Sequence, residues 1–225
     1  MDLIETVRTT GAVRDFTDVP VDHDIIRSIL DSARFAPSGG NRQPWHVIVV
    51  DNHVTRRGLR DAYLDAWHDY VAHLLAGVVP FSPLADETDR MNALAQRERA
   101  TARSQPTGFA ESLDGVPALL VVCADVAAFA ATDRDLDRYH FIGGASIYPF
   151  VWNILLAARA HDLAGVMTTI ATRNEPQLAE LFHLPETYAI AAVVALGHPS
   201  RQPLALSRHP VDSFTSVDFF DGGPL

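Results

Sequence analysis

The segment with the most chemical potential is residues 36–45, APSGGNRQPW, which holds two glycines, two carboxamides and one guanidinium. Glycine has no side chain, so this backbone can approach a planar ligand closely. Asn41 and Gln43 each offer a hydrogen-bond donor and an acceptor, which suits a ring edge that alternates carbonyl and N–H groups. The same amides would equally satisfy the loop's own backbone. The loop alone therefore leaves two readings open.

Further polar residues lie in other parts of the chain. Arg14 and Arg208 are candidates for a phosphate, because a guanidinium forms paired, charge-assisted hydrogen bonds with phosphate oxygens. Residues 166–169, VMTT, and the strand end LGHP add backbone and hydroxyl groups. Together they fit a phosphorylated ligand with a planar hydrogen-bonding edge, such as the pyrimidine edge of a flavin. The alternative for Arg14 is a surface ion pair with Asp15.

Several other classes of function are disfavoured by the sequence. The chain contains no GxGxxG after a strand, no GxxxxGK[ST], no HExxH and no GxSxG, and its ten histidines are scattered. Ser38 is therefore not expected to be a nucleophile, and no metal site is expected. Cys123 lies in an apolar run and is predicted to be a buried strand residue. A net charge of -10 argues against nucleic acid and anionic membranes as partners.

The hydrophobic periodicity predicts one α+β domain over residues 1–225, because helices and strands mix without a regular βαβ alternation. Helices are predicted over residues 2–9, 22–36, 56–76, 141–165 and 174–184. Strands are predicted over 45–51, 116–125 and 188–199, with a strand or extended loop over 164–170. The helix over 141–165 is apolar almost all round, so we expect it to be buried partly against a second subunit. The C-terminal tail is expected to be extended.

Five segments in this order resemble the FMN-dependent nitroreductase family: RTTGAVRDF, ARFAPSGGNRQPWHVIVV, GGASIYPFVWNILLAARAHDLAGVMTTI, VVALGHP and SRHPVDSF. Only about residues 77–115 fall outside the resemblance, and we expect them to form either a helical lid or a mobile surface excursion. The resemblance implies a central, mainly antiparallel sheet flanked by helices. It also implies a homodimer with one FMN at each of two interface sites.

Carried over by position, the resemblance implies cofactor-binding roles for several residues. Arg14, Gly197 and Arg208 would lie at the FMN phosphate. The loop that reaches the flavin from the second subunit would include Pro37, Ser38, Gly39 and Asn41, and Gln43 is added for its amide. Met167, Thr168 and Thr169 would lie along the ring near N5. Arg8 and Arg42 are further candidates, Arg8 at the phosphate and Arg42 at the N1–O2 edge.

The chain departs from the family pattern near the phosphate and near N5. Thr10, Gly11 and Ala12 stand where members commonly have Arg-x-Ser, and Leu206 replaces a second basic residue. Thr169 stands where many members have an acidic residue. The resemblance therefore implies a less cationic phosphate site.

The expected function is an NAD(P)H-dependent oxidoreductase of the cytoplasm. It would reduce nitroaromatic, quinone or similar acceptors through the flavin in a ping-pong scheme, without an essential acid–base side chain. Trp67, Tyr70 and Phe109 are candidates for a substrate-facing wall, although aromatic residues at helical spacing are also typical of a core. Two alternatives stay open. One is specialised flavin chemistry, such as dehalogenation, flavin fragmentation or heterocycle oxidation. The other is FMN storage without turnover.

Overall fold

A four-stranded antiparallel sheet forms the centre of the molecule in the computed structural model, which describes residues 2–225. Its strand order is β1-β2-β4-β3. The strands are β1 (Trp45–Val49), β2 (Ala118–Asp125), β3 (Ala164–Thr168) and β4 (Tyr188–Gly197). The longer strands β2 and β4 occupy the middle, as their continuous apolar sequences predict. The α+β class is confirmed, and so is the mainly antiparallel sheet implied by the resemblance.

Residues 2–225 contain seven α-helices in addition to this sheet. They are α1 (Leu3–Thr9), α2 (His23–Ala33), α3 (His53–Ala76), α4 (Glu87–Ala95), α5 (Arg97–Thr101), α6 (Tyr148–Ala158) and α7 (Glu175–Phe182). Side chains of β2 alternate between two apolar cores because successive strand residues point to opposite faces. Leu120 and Val122 pack with α2 and α6 on one face, whereas Leu119 and Val121 pack with α3 and α7 on the other.

The predicted ends of two helices are close to those observed. Helix α2 follows Asp22, but the Asp22 side chain makes no capping hydrogen bond. It ends at Ala33, before the Pro37 that we expected to stop it. Helix α3 begins three residues earlier than the sequence predicted, because the Asn52 side chain accepts hydrogen bonds from the backbone N–H groups of Val54 and Thr55.

The prediction of one continuous helix over residues 141–165 is wrong. A 3₁₀ segment, Ile142–Ser146, precedes α6, and a second one, Arg159–His161, follows it. The chain then turns through Asp162, whose φ is 56°, into β3. The glycine pair in the first segment and Pro149 in the first turn of α6 explain the late start.

Burial of α6 is incomplete within one chain. Phe150, Ile154 and Ala158 face the core and are buried. Tyr148 and Trp152 remain 41% and 38% exposed. Apolar surface on this helix is therefore left for contacts outside the chain.

Residues 77–115 form an ordered helical layer on α3. The guanidinium of Arg97 in α5 pairs with the carboxylates of Asp65 and Asp69 in α3, and it also donates to the Asp65 carbonyl. Ala93 and Ala100 are buried in the contact. These interactions favour a docked helical excursion over a mobile surface segment.

The C-terminal tail is extended, as expected, apart from one 3₁₀ turn at Val211–Ser213. It leaves several large apolar side chains exposed, including Phe214, Phe219 and Phe220. Over residues 2–225, no helix combines the length and the apolar character that a membrane crossing requires. The same residues contain no group of three or more histidine, cysteine or carboxylate side chains arranged to hold a metal ion.

Candidate functional site

The loop predicted to contact a planar ligand is held by local hydrogen bonds. Ser38 Oγ accepts from the Gln43 N–H at 3.0 Å, and the Gly39 N–H donates to Ser146 Oγ at 3.1 Å. Asn41 and Gln43 both have left-handed backbones, with φ of 52° and 49°. The amide of Gln43 also donates to the Asn41 carbonyl at 3.3 Å. Some of the loop's polar groups therefore form hydrogen bonds within the loop, which is the structural alternative to ligand binding.

The rest of this loop is solvent-exposed. Pro37, Asn41, Arg42 and Gln43 are all exposed in the single chain. Its one long-range hydrogen bond named above leads to Ser146, in the 3₁₀ segment that precedes α6. The loop thus lies beside the helix that also carries the exposed Tyr148 and Trp152.

The structure brings Arg8 and Arg208 together. Both line a cavity of about 640 Å³ between α1 and the C-terminal tail, where Thr10, Trp152 and Leu206 also contribute. Arginine side chains are suited to pairing with a phosphate, so this cavity is the candidate phosphate site within one chain. Arg8, expected only as a further candidate, is the residue that shares this cavity with Arg208.

Arg14 lies at a different cleft. Its guanidinium carbon is 5.9 Å from the centre of the Phe109 ring, and the two residues line a cavity of about 220 Å³. Trp67 and Arg103 line the same cleft. Within one chain, the arginines predicted at the phosphate are thus divided between two cavities.

The segment that carries Arg14 is attached to β3. Ala12 forms an isolated parallel bridge with Gly165, and the Val13 N–H donates to the Gly165 carbonyl at 2.9 Å. Gly165 has no space for a side chain, because a Cβ there would lie 2.3 Å from the Ala195 carbonyl oxygen. A glycine at this position lets β4 approach β3 closely.

The end of β3 presents the three residues predicted near a flavin ring. Met167 is half-buried and packs against the α2–α6 core, Thr168 is buried, and Thr169 is exposed. Thr168 Oγ1 donates to the hydroxyl of Tyr63 in α3 at 3.3 Å. Burial raises the pKa of Tyr63, so its phenol stays protonated at neutral pH.

Gly197 ends β4 at the opposite end of the β3–β4 ladder from Thr168. A Cβ at Gly197 would lie 2.8 Å from Pro117 Cγ and 3.0 Å from the Phe16 ring. Close packing within the chain therefore accounts for glycine here without a ligand. Its predicted role at a phosphate stays a prediction.

The three aromatic residues proposed as a substrate wall belong to a longer row of rings. Trp67 stacks on Tyr70 with ring centres 5.2 Å apart, and Phe109 meets Tyr63 edge-to-face at 6.2 Å. Tyr63 also stacks near Trp67 at 6.5 Å. Trp67 and Phe109 are half-buried against the core, so the row is both core and cleft wall.

Two residues of this region were missed from the sequence. Tyr63 connects the ring row to Thr168, and Arg103 gives the Arg14 cleft a second guanidinium. The signal that could have found Tyr63 is its i, i+4 and i+7 spacing with Trp67 and Tyr70, which puts the three rings on one helix face. Arg103 carried no usable signal, because it follows the short helix α5 in the part of the chain without a recognisable pattern.

Comparison with known proteins identifies the group to which this architecture belongs. The profile of the nitroreductase family matches residues 7–198. The NADH dehydrogenase of Thermus thermophilus is 28% identical over 205 residues, which cover 89% of this chain and 88% of that protein. Nitrobenzene nitroreductase of Ectopseudomonas oleovorans is 25% identical over 223 residues, or 94% and 95% of the two chains.

Two further similarities extend this range. Iodotyrosine deiodinase 1 of Rattus norvegicus is 22% identical over 201 residues, covering 89% of this chain and 63% of the deiodinase. The crystal structure of the NADPH:FMN oxidoreductase of Vibrio harveyi, in complex with NAD⁺, aligns with a TM-score of 0.65 and 21% identity, covering 97% and 77% of the chains. The family match spans most of the chain and the fold agrees with it, so the chain belongs to the nitroreductase family and is an NAD(P)H-dependent oxidoreductase.

Proposed function

We propose that this protein binds FMN and uses NAD(P)H to reduce nitroaromatic, quinone or similar acceptors, working as a homodimer with two interface sites. The observation that carries the proposal is the cavity of about 640 Å³ lined by both Arg8 and Arg208. Its size is in the usual range for a small-molecule site, and its two guanidinium groups match the charge of a phosphate.

The chemistry of the donors fits a phosphate-bearing cofactor in this cavity. Arg208 donates to the neighbouring Ser207 carbonyl at 2.6 Å, which occupies one of its five N–H groups. Thr10 is buried, and its hydroxyl donates to the Thr6 carbonyl at 2.7 Å. The positive charge for a phosphate would therefore come from Arg8 and Arg208 rather than from residue 10.

A second copy of the chain would supply the loop around residues 37–43. Within one chain this loop is exposed and hydrogen-bonds to Ser146 beside α6, whereas the cavity of Arg8 and Arg208 is bounded by Trp152 of α6. The partly exposed Tyr148 and Trp152 on α6 give a dimer contact an apolar basis. Pairing about this helix would bring Ser38, Gly39 and Asn41 of one chain towards the cofactor of the other.

When bound, FMN would supply the hydride-transfer chemistry between NAD(P)H and the acceptor, and the protein would provide binding and orientation. Thr168, fixed by Tyr63, would set the position of the β3 end along the ring. Arg42 would stabilise negative charge on the reduced pyrimidine edge. Gln43 and Asn41 would hydrogen-bond that edge. Arg14, Trp67 and Phe109 would line the approach for the nicotinamide or the acceptor.

The assignment of the phosphate is tested by FMN titration of the apoprotein, followed by fluorescence. Arg8→Gln and Arg208→Gln should each weaken FMN binding about 10- to 100-fold, because each removes one charge-assisted contact. Arg201→Gln is a matched control, since Arg201 is exposed and lines neither cavity. Arg14→Gln tests the alternative cleft. Unchanged FMN affinity in both cavity variants would refute the phosphate assignment.

Turnover separates this proposal from specialised flavin chemistry. Nitrobenzene and a simple quinone should be reduced with NADH or NADPH by the FMN-loaded protein. A protein that reduces neither acceptor but releases iodide from an iodinated phenol would match the deiodinase relative instead. A bound flavin that NAD(P)H never bleaches would indicate storage.

A further inference from the structure

A third cavity is lined by none of the residues assigned to the cofactor above. It has a volume of about 580 Å³ and opens between α3 and the helical excursion. Its lining includes Asp69 and His73 of α3, Phe81 and Leu94 of the excursion, and Arg173 after β3. A cavity of this size is in the range that holds a small organic ligand.

The excursion gives this cavity an apolar wall that solvent reaches. Met91 and Leu94 line it and are 55% and 63% exposed, next to the half-buried Phe81. Large apolar side chains that gather around one concave opening mark a binding surface more often than isolated ones do. The thioether of Met91 also suits contact with an aromatic ring.

Phe81 holds an unusual backbone conformation at this wall. Its φ is 54°, in the left-handed region that a bulky side chain rarely adopts. Its ring centre lies 4.8 Å from that of His73 and 6.4 Å from that of Tyr70. Strained residues persist where surrounding contacts hold them, and they concentrate at ligand sites.

Arg173 supplies positive charge at the same place. Its guanidinium carbon lies 4.9 Å from the Phe81 ring centre. Among residues 2–225, Arg173 forms no ion pair with a carboxylate.

The acidic groups at the cavity already have cationic partners. Asp69 pairs with Arg97, and Glu87 pairs with Arg90 at 3.8 Å. His73 donates its Nδ1–H to the Asp69 carbonyl at 2.7 Å, since a carbonyl can only accept. The guanidinium of Arg173 is thus the charge left for a ligand.

We propose that this cavity binds a small aromatic carboxylate. Its rings would pack against Phe81, Met91 and Leu94, and its carboxylate would pair with Arg173. A carboxylate matches the planar fork of a guanidinium. An aromatic body matches the rings and the thioether of the wall. The ligand would bind there without reacting. The binding proposal can therefore be tested independently of the flavin chemistry proposed above.

The test is calorimetric titration of the protein as purified with 2-naphthoate. Naphthalene-2-carboxamide, which has the same rings without the charge, should bind at least about 10-fold more weakly. Arg173→Gln should lower 2-naphthoate affinity about 10-fold or more for the same reason. Phe81→Asn should also lower it, and asparagine tolerates the left-handed backbone. Arg99→Gln, an exposed arginine of α5 outside the cavity, should bind as the wild type does.

Two results would overturn the proposal. One is equal binding of the carboxylate and the carboxamide. The other is undiminished 2-naphthoate binding by both Arg173→Gln and Phe81→Asn, which would place the ligand elsewhere. The visible flavin spectrum of FMN-loaded protein, recorded in the same titration, should stay unchanged because the cavity is lined by none of the residues assigned to the cofactor. A ligand that stacked on the flavin would change this spectrum. The titration measures binding and needs no turnover, so its result can be interpreted even if the proposed redox function is wrong.

Discussion

Gly165→Ala is the substitution with the most direct structural basis. Gly165 lies in β3 and pairs with Leu196 of β4, while its carbonyl accepts a hydrogen bond from Val13. A Cβ at this position would be 2.3 Å from the Ala195 carbonyl oxygen and 2.6 Å from Leu196 Cδ2. The first contact is with backbone, so a side-chain rotation cannot relieve it. Strand β3 would have to move away from β4.

The magnitude follows from opposing contributions. Forcing an extra methyl group into packed structure costs about 1–3 kcal/mol, and this site is at the upper end because the ladder itself must shift. Restricting the unfolded chain offsets about 0.4–1 kcal/mol. The expected net loss is about 2 kcal/mol in the free energy of unfolding. For a chain of this length that corresponds to a fall of about 4–8 °C in Tm.

Urea unfolding, with two glycine controls, tests the reasoning. At Gly115 a Cβ would meet nothing within 4 Å and φ is not positive, so Gly115→Ala should be neutral or slightly stabilising. Gly77 also has open space but a φ of 74°, so Gly77→Ala should cost about 1 kcal/mol through backbone strain alone. If Gly165→Ala unfolds within about 0.5 kcal/mol of Gly115→Ala, the close approach of β3 and β4 is not as described.

Three further predictions concern side chains. Tyr63→Phe should cost about 1 kcal/mol in urea unfolding, because Thr168 loses its buried acceptor. Burial alone would raise the pKa of Asp133. Hydrogen bonds from the backbone N–H groups of Phe141 and Ile142 and from the Arg138 guanidinium outweigh this effect, so the pKa of Asp133 is lowered. Its contribution to stability should thus be present above about pH 4 and lost as pH falls further, so Asp133→Asn should destabilise at pH 7 and converge with the wild type in acid. Arg97→Met should speed limited proteolysis within residues 77–115, whereas Arg99→Met, on the exposed side of the same helix, should not.

The elements of the fold were largely readable from hydrophobic periodicity. The β-branched stretches gave the strands, and the stripe of Ile26, Ile29 and Ala33 gave α2, since both patterns are local. The prediction of one continuous helix over residues 141–165 was wrong because it relied on apolar content alone and ignored the glycine pair and Pro149. Strand order depends on contacts between distant residues, so the resemblance implied only a mainly antiparallel sheet and the order itself came from the structure.

The sequence suggested candidate site residues by type, but it did not indicate how the folded chain groups them. Arg14 and Arg208 were expected at one phosphate, yet Arg208 shares its cavity with Arg8 while Arg14 lies beside Phe109. Grouping depends on how the tail folds back on α1, and no local pattern encodes that path. The cavity around Phe81 was also unreadable, because it joins α3 to residues with no recognisable motif.

The departures from the family pattern form one packed unit in the structure. Leu206 Cδ2 would lie 2.7 Å from a Cβ at Gly11, so leucine at 206 occupies the space that a side chain at 11 would need. Thr10 directs its hydroxyl back to the carbonyl of Thr6. The part of the cavity wall where family members have basic residues therefore consists here of Thr10 and Leu206, of which Leu206 packs against Gly11 and Thr10 hydrogen-bonds within the chain. Arg8, one helical turn before this wall, lines the same cavity and restores a positive charge beside Arg208. Under the proposed function, Arg8 would supply the charge that the substituted positions lack, which is why we propose FMN binding despite the substitutions.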